Sequence, residues 1–520
     1  MELPFLLAAF LSVFVLFIGF VWNKYLQPPS DFPTNLPVIP LYFSLLGYLT
    51  DRGQDELYNQ YLRDPLNEFG AVIIFFGSRW NILVQRPSYL AEIFKNSGEY
   101  AKSGNQKKIP YSVVAALTGD NIISAHGDNW NLYRRIMKKG TQRKLDLQTV
   151  RSMRLKVGKV AGVLREQNNR GLEVVSLDNL IQRLSMDMLG VGMLETDFQT
   201  IEDPNARIFY LHNNIKKAIF NPLFLNFPIL DRIIPTRWRI FKLIQQLEEE
   251  LLSRTINICN TSSSSRTKRD TPTDIPLEPT SLITDMQDAL FRSSWTRRQC
   301  LDNLKIIFIA GHENLHQHLV SLFFLLGTHP HAMQTLHKEL SKAAHDAGHI
   351  TNDPLSTEAL DHLPYLTATC YEALRLLPPI PQLINRKTTD PVLLGGKIPI
   401  PEGTYVGWTA FGAHRDTSSP NPYPYSSTSL DKFDPSRWGN TIDEIRRVHR
   451  RTQARGEFVA FTGGMRACLG QAYADDVAKL VLDAMVRGVG MWEVVGKEDV
   501  KMTPGGLLRP RGLRIRFVEK

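Results

Sequence analysis

The chain has 520 residues, 43% of them hydrophobic and 10% aromatic, a globular composition with a large core and length for two to four domains. Its formal net charge of +9 suits an anionic membrane surface, an acidic protein partner or a mildly basic solvated surface, and no basic run is dense enough to argue for nucleic acid. Four cysteines (Cys259, Cys300, Cys370, Cys468) without a C-x-x-C pair or zinc-ribbon spacing argue against a disulfide framework and a thiolate zinc site.

Pro4 to Trp22 is an apolar run broken only by Ser12, and as a helix it would span roughly 28 Å, the hydrocarbon thickness of a bilayer. A cleaved signal peptide is the competing reading, but Glu2 replaces a basic leader and the positive charge, Lys24, follows the run. The pattern predicts an uncleaved anchor over residues 1–22. Gln27 to Pro40 holds five prolines, which predicts a stiff, non-helical hinge over 23–40 ahead of one globular domain, 41–520.

Ala71–Gly77 and Trp80–Gln85, separated by Ser78 and Arg79, read as a β-hairpin. Helical periodicity then dominates, over Ser88–Asn96, Trp130–Lys139, Leu145–Gln167, Leu177–Leu189 and Arg237–Ile258. Residues 259–281, rich in Ser, Thr, Pro and charge, predict a flexible surface loop rather than a domain linker.

Leu301–Gly327 reads as a long apolar helix whose middle carries Ala310, Gly311, His312, Glu313 and Asn314. Polar groups in such a helix cost several kcal/mol unless partnered, which points to function. His312, Glu313 and His316 form H-E-x-x-H, the pattern of a zinc metallopeptidase with two imidazole ligands and a glutamate base. No metzincin extension follows, since Leu319 and Leu322 stand where glycine and the third histidine belong, and Glu339 is a remote third ligand only by assumption. The plain structural alternative has His316 and His318 hydrogen-bonding across the core. Further on, Glu372 and Arg375 stand at i, i+3 in a helical run, Tyr365–Leu377, that Pro378 and Pro379 must end.

Phe458 to Gly470 reads F-V-A-F-T-G-G-M-R-A-C-L-G, and apolar residues at Tyr473, Val477, Leu480, Val481, Ala484 and Met485 then mark one helical face. Cys468 therefore lies just ahead of a helix N-terminus. The amide groups and dipole there, with Arg466 close by, are expected to favour thiolate over thiol, which is a metal-ligand environment.

Phe461, Gly464, Arg466, Cys468 and Gly470 match every fixed position of F-x-x-G-x-R-x-C-x-G, the haem-binding signature of cytochromes P450, and from residue 36 onward the chain resembles that family. The resemblance implies a mainly α fold with a small β region behind one N-terminal transmembrane helix, and Cys468 as axial thiolate of haem b iron. It aligns Ala310, Gly311 and Glu313 with the distal A-G-x-D/E-T helix, where Gly311 would loosen the helix to admit O₂ and Glu313 and Asn314 would manage protons. Asn314 departs from the usual threonine, and an amide relays a proton less readily than a hydroxyl. Phe433 to Trp438 resembles the family's P-x-R-F/W segment, so Glu372, Arg375 and Arg437 are implied to form a buried structural triad. Trp130 and Arg134 match W-x-x-x-R, and with Arg466, Arg386 and His126 they are implied haem-propionate contacts.

By the same resemblance the protein is an endoplasmic-reticulum monooxygenase with a cytosolic catalytic domain. It would take electrons from NADPH-cytochrome P450 reductase, with cytochrome b5 as a second donor, and touch membrane lipid. The implied substrate is a largely apolar small molecule, of the kind handled in fungal secondary metabolite or mycotoxin biosynthesis. Recognition is expected from Asn105–Asn121, Ile208–Pro235, Ile306–Asn314, Pro379–Ile384 and Gly505–Leu508. A P450-fold isomerase or dehydratase, a zinc peptidase and a haem protein without turnover are the alternatives.

Overall fold

The computed structural model describes residues 27–169, 175–256, 281–348 and 355–518, with Ser12, Val13, Val15, Leu16 and Gly19 ahead of them. Most of the expected anchor and residues 259–280 of the expected loop lie outside the described residues, among which no helix is long and apolar enough to cross a membrane.

Alternating apolar residues fold into the expected hairpin, β1 (Ala71–Phe76) with β2 (Arg79–Val84), paired from Ala71↔Val84 to Phe76↔Arg79. The two turn residues, Gly77 and Ser78, both have positive φ, the conformation a two-residue hairpin turn requires. With β3 (Tyr100–Lys102), β5 (Gln382–Thr388) and β8 (Tyr405–Thr409) they build a mixed sheet of order β1-β2-β8-β5-β3, in which only β2 and β8 run parallel. Small satellites complete the β region: β4 (Val175–Ser176), β9 (Trp492–Val494) and β12 (Arg514–Phe517), the pair β6 (Val392–Leu394) and β7 (Ile398–Ile400), and the pair β10 (Lys501–Met502) and β11 (Pro510–Arg511). The proline-rich stretch is more than a spacer. Its end lies along β1, with the Ile39 and Ile73 amides donating to the Ile73 and Pro37 carbonyls at 2.9 Å, and it buries Leu36 and Ile39.

The helices that position the site are α1 (Pro87–Lys95), α2 (Asp128–Thr141), α3 (Leu147–Asn169), α4 (Asp178–Met193), α5 (Arg207–Ile219), α6 (Pro235–Thr255), α7 (Leu282–Phe291), α8 (Arg297–Thr328), α9 (Pro330–Asp346), α10 (Pro364–Leu376), α11 (Ile442–Ala454) and α12 (Gln471–Gly488). α8 opens with a capping box between Thr296 and Gln299 and runs 32 residues through the core. Buried polar residues in its N-terminal third are partnered: the Lys305 ammonium contacts Glu248 at 2.6 Å and Asp302 at 3.0 Å, and Asn303 accepts from the Ile122 amide at 2.8 Å. Gly311 does not interrupt α8. A Cβ there would lie 2.5 Å from Leu189 Cδ1, so its bareness serves the close crossing of α4 over α8, a reason different from the expected loosening.

Candidate haem-thiolate site

The cysteine loop is shaped by backbone before side chains. Gly464 has φ +63°, and a Cβ on it would lie 2.5 Å from the Phe94 carbonyl oxygen at the end of α1, so only glycine fits. The Cys468 amide donates to the Phe461 carbonyl at 3.0 Å, and Gly470 caps α12. Cys300 and Cys370 are buried; Cys468 lies deep in the protein with its side chain open to a cavity of about 260 Å³. One water needs ~10–15 Å³ on that scale, so the space suits a large flat group.

The thiolate expectation needs correcting for the chain alone. Burial pushes the Cys468 thiol up, and although a hydrogen bond from the Gly470 amide opposes it, the Asp475 carboxylate adds to the rise. Arg466 does not act on the sulfur: its guanidinium donates to the Ala125 carbonyl at 2.8 Å and lies 4.4 Å from the centre of the Trp130 ring. A bound metal ion, rather than the dipole, would have to hold the sulfur as thiolate.

From α8, Ala310, Gly311 and Asn314 line the same cavity; Glu313 does not. It is 1% exposed and faces α4 and α5, accepting from His212 Nε2 at 2.7 Å, from Gln182 at 3.2 Å and, with its second oxygen, from Gln317 at 3.1 Å, and pairing with Lys216 at 2.6 Å. Burial pushes its carboxyl up, but the histidine hydrogen bonds and the Lys216 charge outweigh that and hold it well below the usual range. The H-E-x-x-H residues do not converge, because His316 turns to Asp178 at 3.1 Å. His318, expected to find a partner across the core, instead lines the cavity with both ring nitrogens buried and unbonded.

Trp130, Arg134, Phe461 and Arg466 also line the cavity. Arg386 is fully buried: one Nη donates to the Tyr100 carbonyl at 3.0 Å, while Nε and the other Nη have no partner. Burial pushes its guanidinium down to about 10 and, with the charges of Arg386 and Arg134, brings Arg466 down to about 9. His126 is exposed and lies outside the cavity lining.

Sequence reasoning missed Lys102. It ends β3 against β5, lines the cavity and donates to Asn385 at 3.0 Å, and burial with the charges of Arg386 and Arg466 presses its ammonium well below the usual range. It also missed Asp475, a cavity-lining carboxyl that burial pushes up to about 7. No spacing or periodicity in the sequence signals Lys102. Orphaned guanidinium donors and crowded cations are what two propionates would satisfy, and the open cysteine is a fitting axial ligand, so the residues present suit haem.

Behind the loop, Glu372 binds Arg375 and Arg437, each Nε at 2.8 Å, and also accepts from Trp438 Nε1 at 3.1 Å. The arginines spend their other donors on the carbonyls of His414, Thr428, Ser429, Leu430 and Lys432. His414 carries this order to the cysteine loop, its Nδ1 bonding the Arg375 carbonyl at 2.9 Å and its Nε2 accepting from the Val459 amide at 2.8 Å.

Comparison with known proteins agrees with this geometry. The chain is 38% identical over 486 residues to the cytochrome P450 monooxygenase xanG of Aspergillus fumigatus, covering 92% of this chain and 86% of that protein. It is 36% identical over 523 residues to cytochrome P450-DIT2 of Saccharomyces cerevisiae, covering 100% and 99%. The crystal structure of the cytochrome P450DA heme domain superposes with a TM-score of 0.69 at 20% identity, over 94% of this chain and 99% of that one, a likeness of fold. With the cytochrome P450 family model matching residues 35–516, the chain belongs to the cytochrome P450 monooxygenase family.

Proposed function

We propose that this P450 is anchored in the endoplasmic reticulum membrane, takes electrons from NADPH through a cytochrome P450 reductase, with cytochrome b5 as a second donor, and oxidises a largely apolar small molecule in fungal secondary metabolism. The observation that carries the reading is Cys468 opening onto a cavity lined by Ile306, Ile307, Ile380 and Leu383, with cations at buried Lys102 and half-buried Arg466. Haem bound by Cys468 would supply O₂ activation and oxygen transfer, as hydroxylation, epoxidation or oxidative coupling.

The chain's own residues do the rest. Arg386, Arg466, Arg134, Trp130 and Lys102 orient the cofactor through its carboxylates. The aliphatic lining excludes water and selects apolar substrate; it comes from two of the five expected segments, Ile306–Asn314 and Pro379–Ile384, joined by Ile122 and Ile123. Asn314 presents its amide to the cavity, while Glu313, ionised and tied to the partly exposed Lys216, stands on the far face of the same helix.

The reduced protein with carbon monoxide should show the long-wavelength Soret band of thiolate ligation, and Cys468→Ala should lose it. A histidine-type band, or no haem, overturns the reading. Substrate turnover without reductase would instead favour an isomerase or dehydratase.

A further inference from the structure

Opposite the cavity, α8 presents a cluster for which the monooxygenase chemistry has no use as a set. Helical steps of 100° put His312 and Glu313 on the face away from Gly311 and Asn314. There they meet His212 of α5. The two Nε2 atoms are 3.2 Å apart, and Glu313 Oε1 lies 2.7 Å from His212 Nε2 and 3.5 Å from His312 Nε2. His212 is 4% exposed, His312 0% and Glu313 1%.

We propose that His212, His312 and Glu313 form a binding site for a divalent transition-metal ion, zinc by ligand set. A tetrahedral zinc held at about 2.0–2.1 Å by two imidazoles and a carboxylate needs its ligand atoms roughly 3.3 Å apart, close to the observed triangle. The tautomers suit it. His312 Nδ1 faces the Phe308 carbonyl, which can only accept, so that nitrogen carries the hydrogen and Nε2 turns a lone pair to the cluster. Burial keeps His212 neutral, pushing its pKa down to about 4, and it presents a second lone pair once its hydrogen moves to Nδ1. Without an ion, a single His212 hydrogen is left between the His312 lone pair and the Glu313 oxygen. Gln317, which donates to the second Glu313 oxygen at 3.1 Å, has a buried Oε1 without a partner, a candidate fourth ligand.

A second cluster shows what a false site looks like. Asp187, Asp197 and Glu202 also converge, but the Lys156 ammonium lies among all three, at 3.4, 2.7 and 2.8 Å, where a cation would go. Lys216 approaches the proposed site differently, touching the two Glu313 oxygens at 2.9 and 2.6 Å and, among the described residues, hydrogen-bonding neither imidazole. Its side chain is 20% exposed and can move to solvent while the ion takes its place. This assignment takes His212 in place of His316, which Asp178 holds, so it is not the peptidase arrangement. The ion would tie α5 to α8.

The test uses the full-length haem-loaded protein, stripped with a chelator, dialysed against zinc chloride and assayed by elemental mass spectrometry for zinc and iron together. One zinc per chain is expected, with affinity reduced roughly 10–100-fold in His212→Gln and in His312→Gln and unchanged in His316→Gln. Lys216→Met should tighten zinc, which keeps the test alive if a histidine variant does not fold. No zinc, zinc retained by both His212→Gln and His312→Gln, zinc lost with His316→Gln, or weaker zinc in Lys216→Met would each overturn the assignment. Iron per chain reports the haem site separately, so failure of one reading is not failure of the other.

Discussion

Glu372 draws Arg375 and Arg437 to 2.8 Å and the neighbouring carbonyls absorb their remaining donors, whereas Arg386, equally buried, leaves two donors unbonded and shares its neighbourhood with Lys102 and Arg466. Both groups place guanidinium charge where water is excluded. The first is electrostatically complete within the chain and behaves as scaffold. The second is cationic with no carboxylate paired to Arg386 among the described residues, and after burial itself the Arg386 charge lowers the proton affinity of both Lys102 and Arg466, so the group is complete only when an anion arrives. Burial of charge therefore does not distinguish structure from binding; whether the partner belongs to the chain does.

The sharpest way to break this contrast is Glu372→Ala. It strands two guanidinium groups that have no exposure, and we expect a loss of about 3–5 kcal/mol in the unfolding free energy of the full chain, enough to abolish haem loading. A loss below about 1 kcal/mol, read by denaturant unfolding, would show that the triad is not scaffold.

Acid sharpens the same contrast through His414, the link from the triad to Val459. Burial pushes its pKa down to about 3, below the ordinary 6.5, so on acidification the unfolded chain takes up a proton that the folded chain refuses. The contribution is fully present above about pH 6.5 and is lost as pH falls towards 3, on the order of 1.4 kcal/mol per pH unit. Denaturant unfolding at about pH 7 and about pH 5 should show this slope, and His414→Gln should flatten part of it; equal slopes would remove His414 from the scaffold.

Much of this was legible from local pattern. Periodicity found the hairpin and the long helices to within a few residues, and the spacing of Phe461, Gly464, Arg466, Cys468 and Gly470 located the loop, because glycine and cysteine requirements are written in consecutive residues. What escaped depends on contacts between distant segments. Glu313 was expected at the cavity, but its direction is set by His212 and Lys216, about a hundred residues earlier on α5, and no periodicity marks them. Gly311 faced the crossing with Leu189, Lys102 joined the cationic group through β3–β5 pairing, and the thiol of Cys468 answered to burial more than to the helix end.

The smallest effect separates the two arginine groups most cleanly, because its sign depends on the ligand. In the haem-free chain Arg386→Leu removes a buried charge with two unbonded donors at the loss of one bond to the Tyr100 carbonyl, so unfolding should be unchanged or slightly harder, within about 1 kcal/mol. If Arg386 holds a propionate as proposed, the same change in the loaded chain removes that charged partner, about 1.4 kcal/mol or roughly a tenfold faster transfer of haem to an acceptor protein. Stability unchanged and haem lost faster is the behaviour of a ligand contact. Destabilisation of the haem-free chain, as Glu372→Ala should produce, would instead put Arg386 with the scaffold, and the remaining cations, Lys102, Arg134 and Arg466, would have to hold the propionates alone.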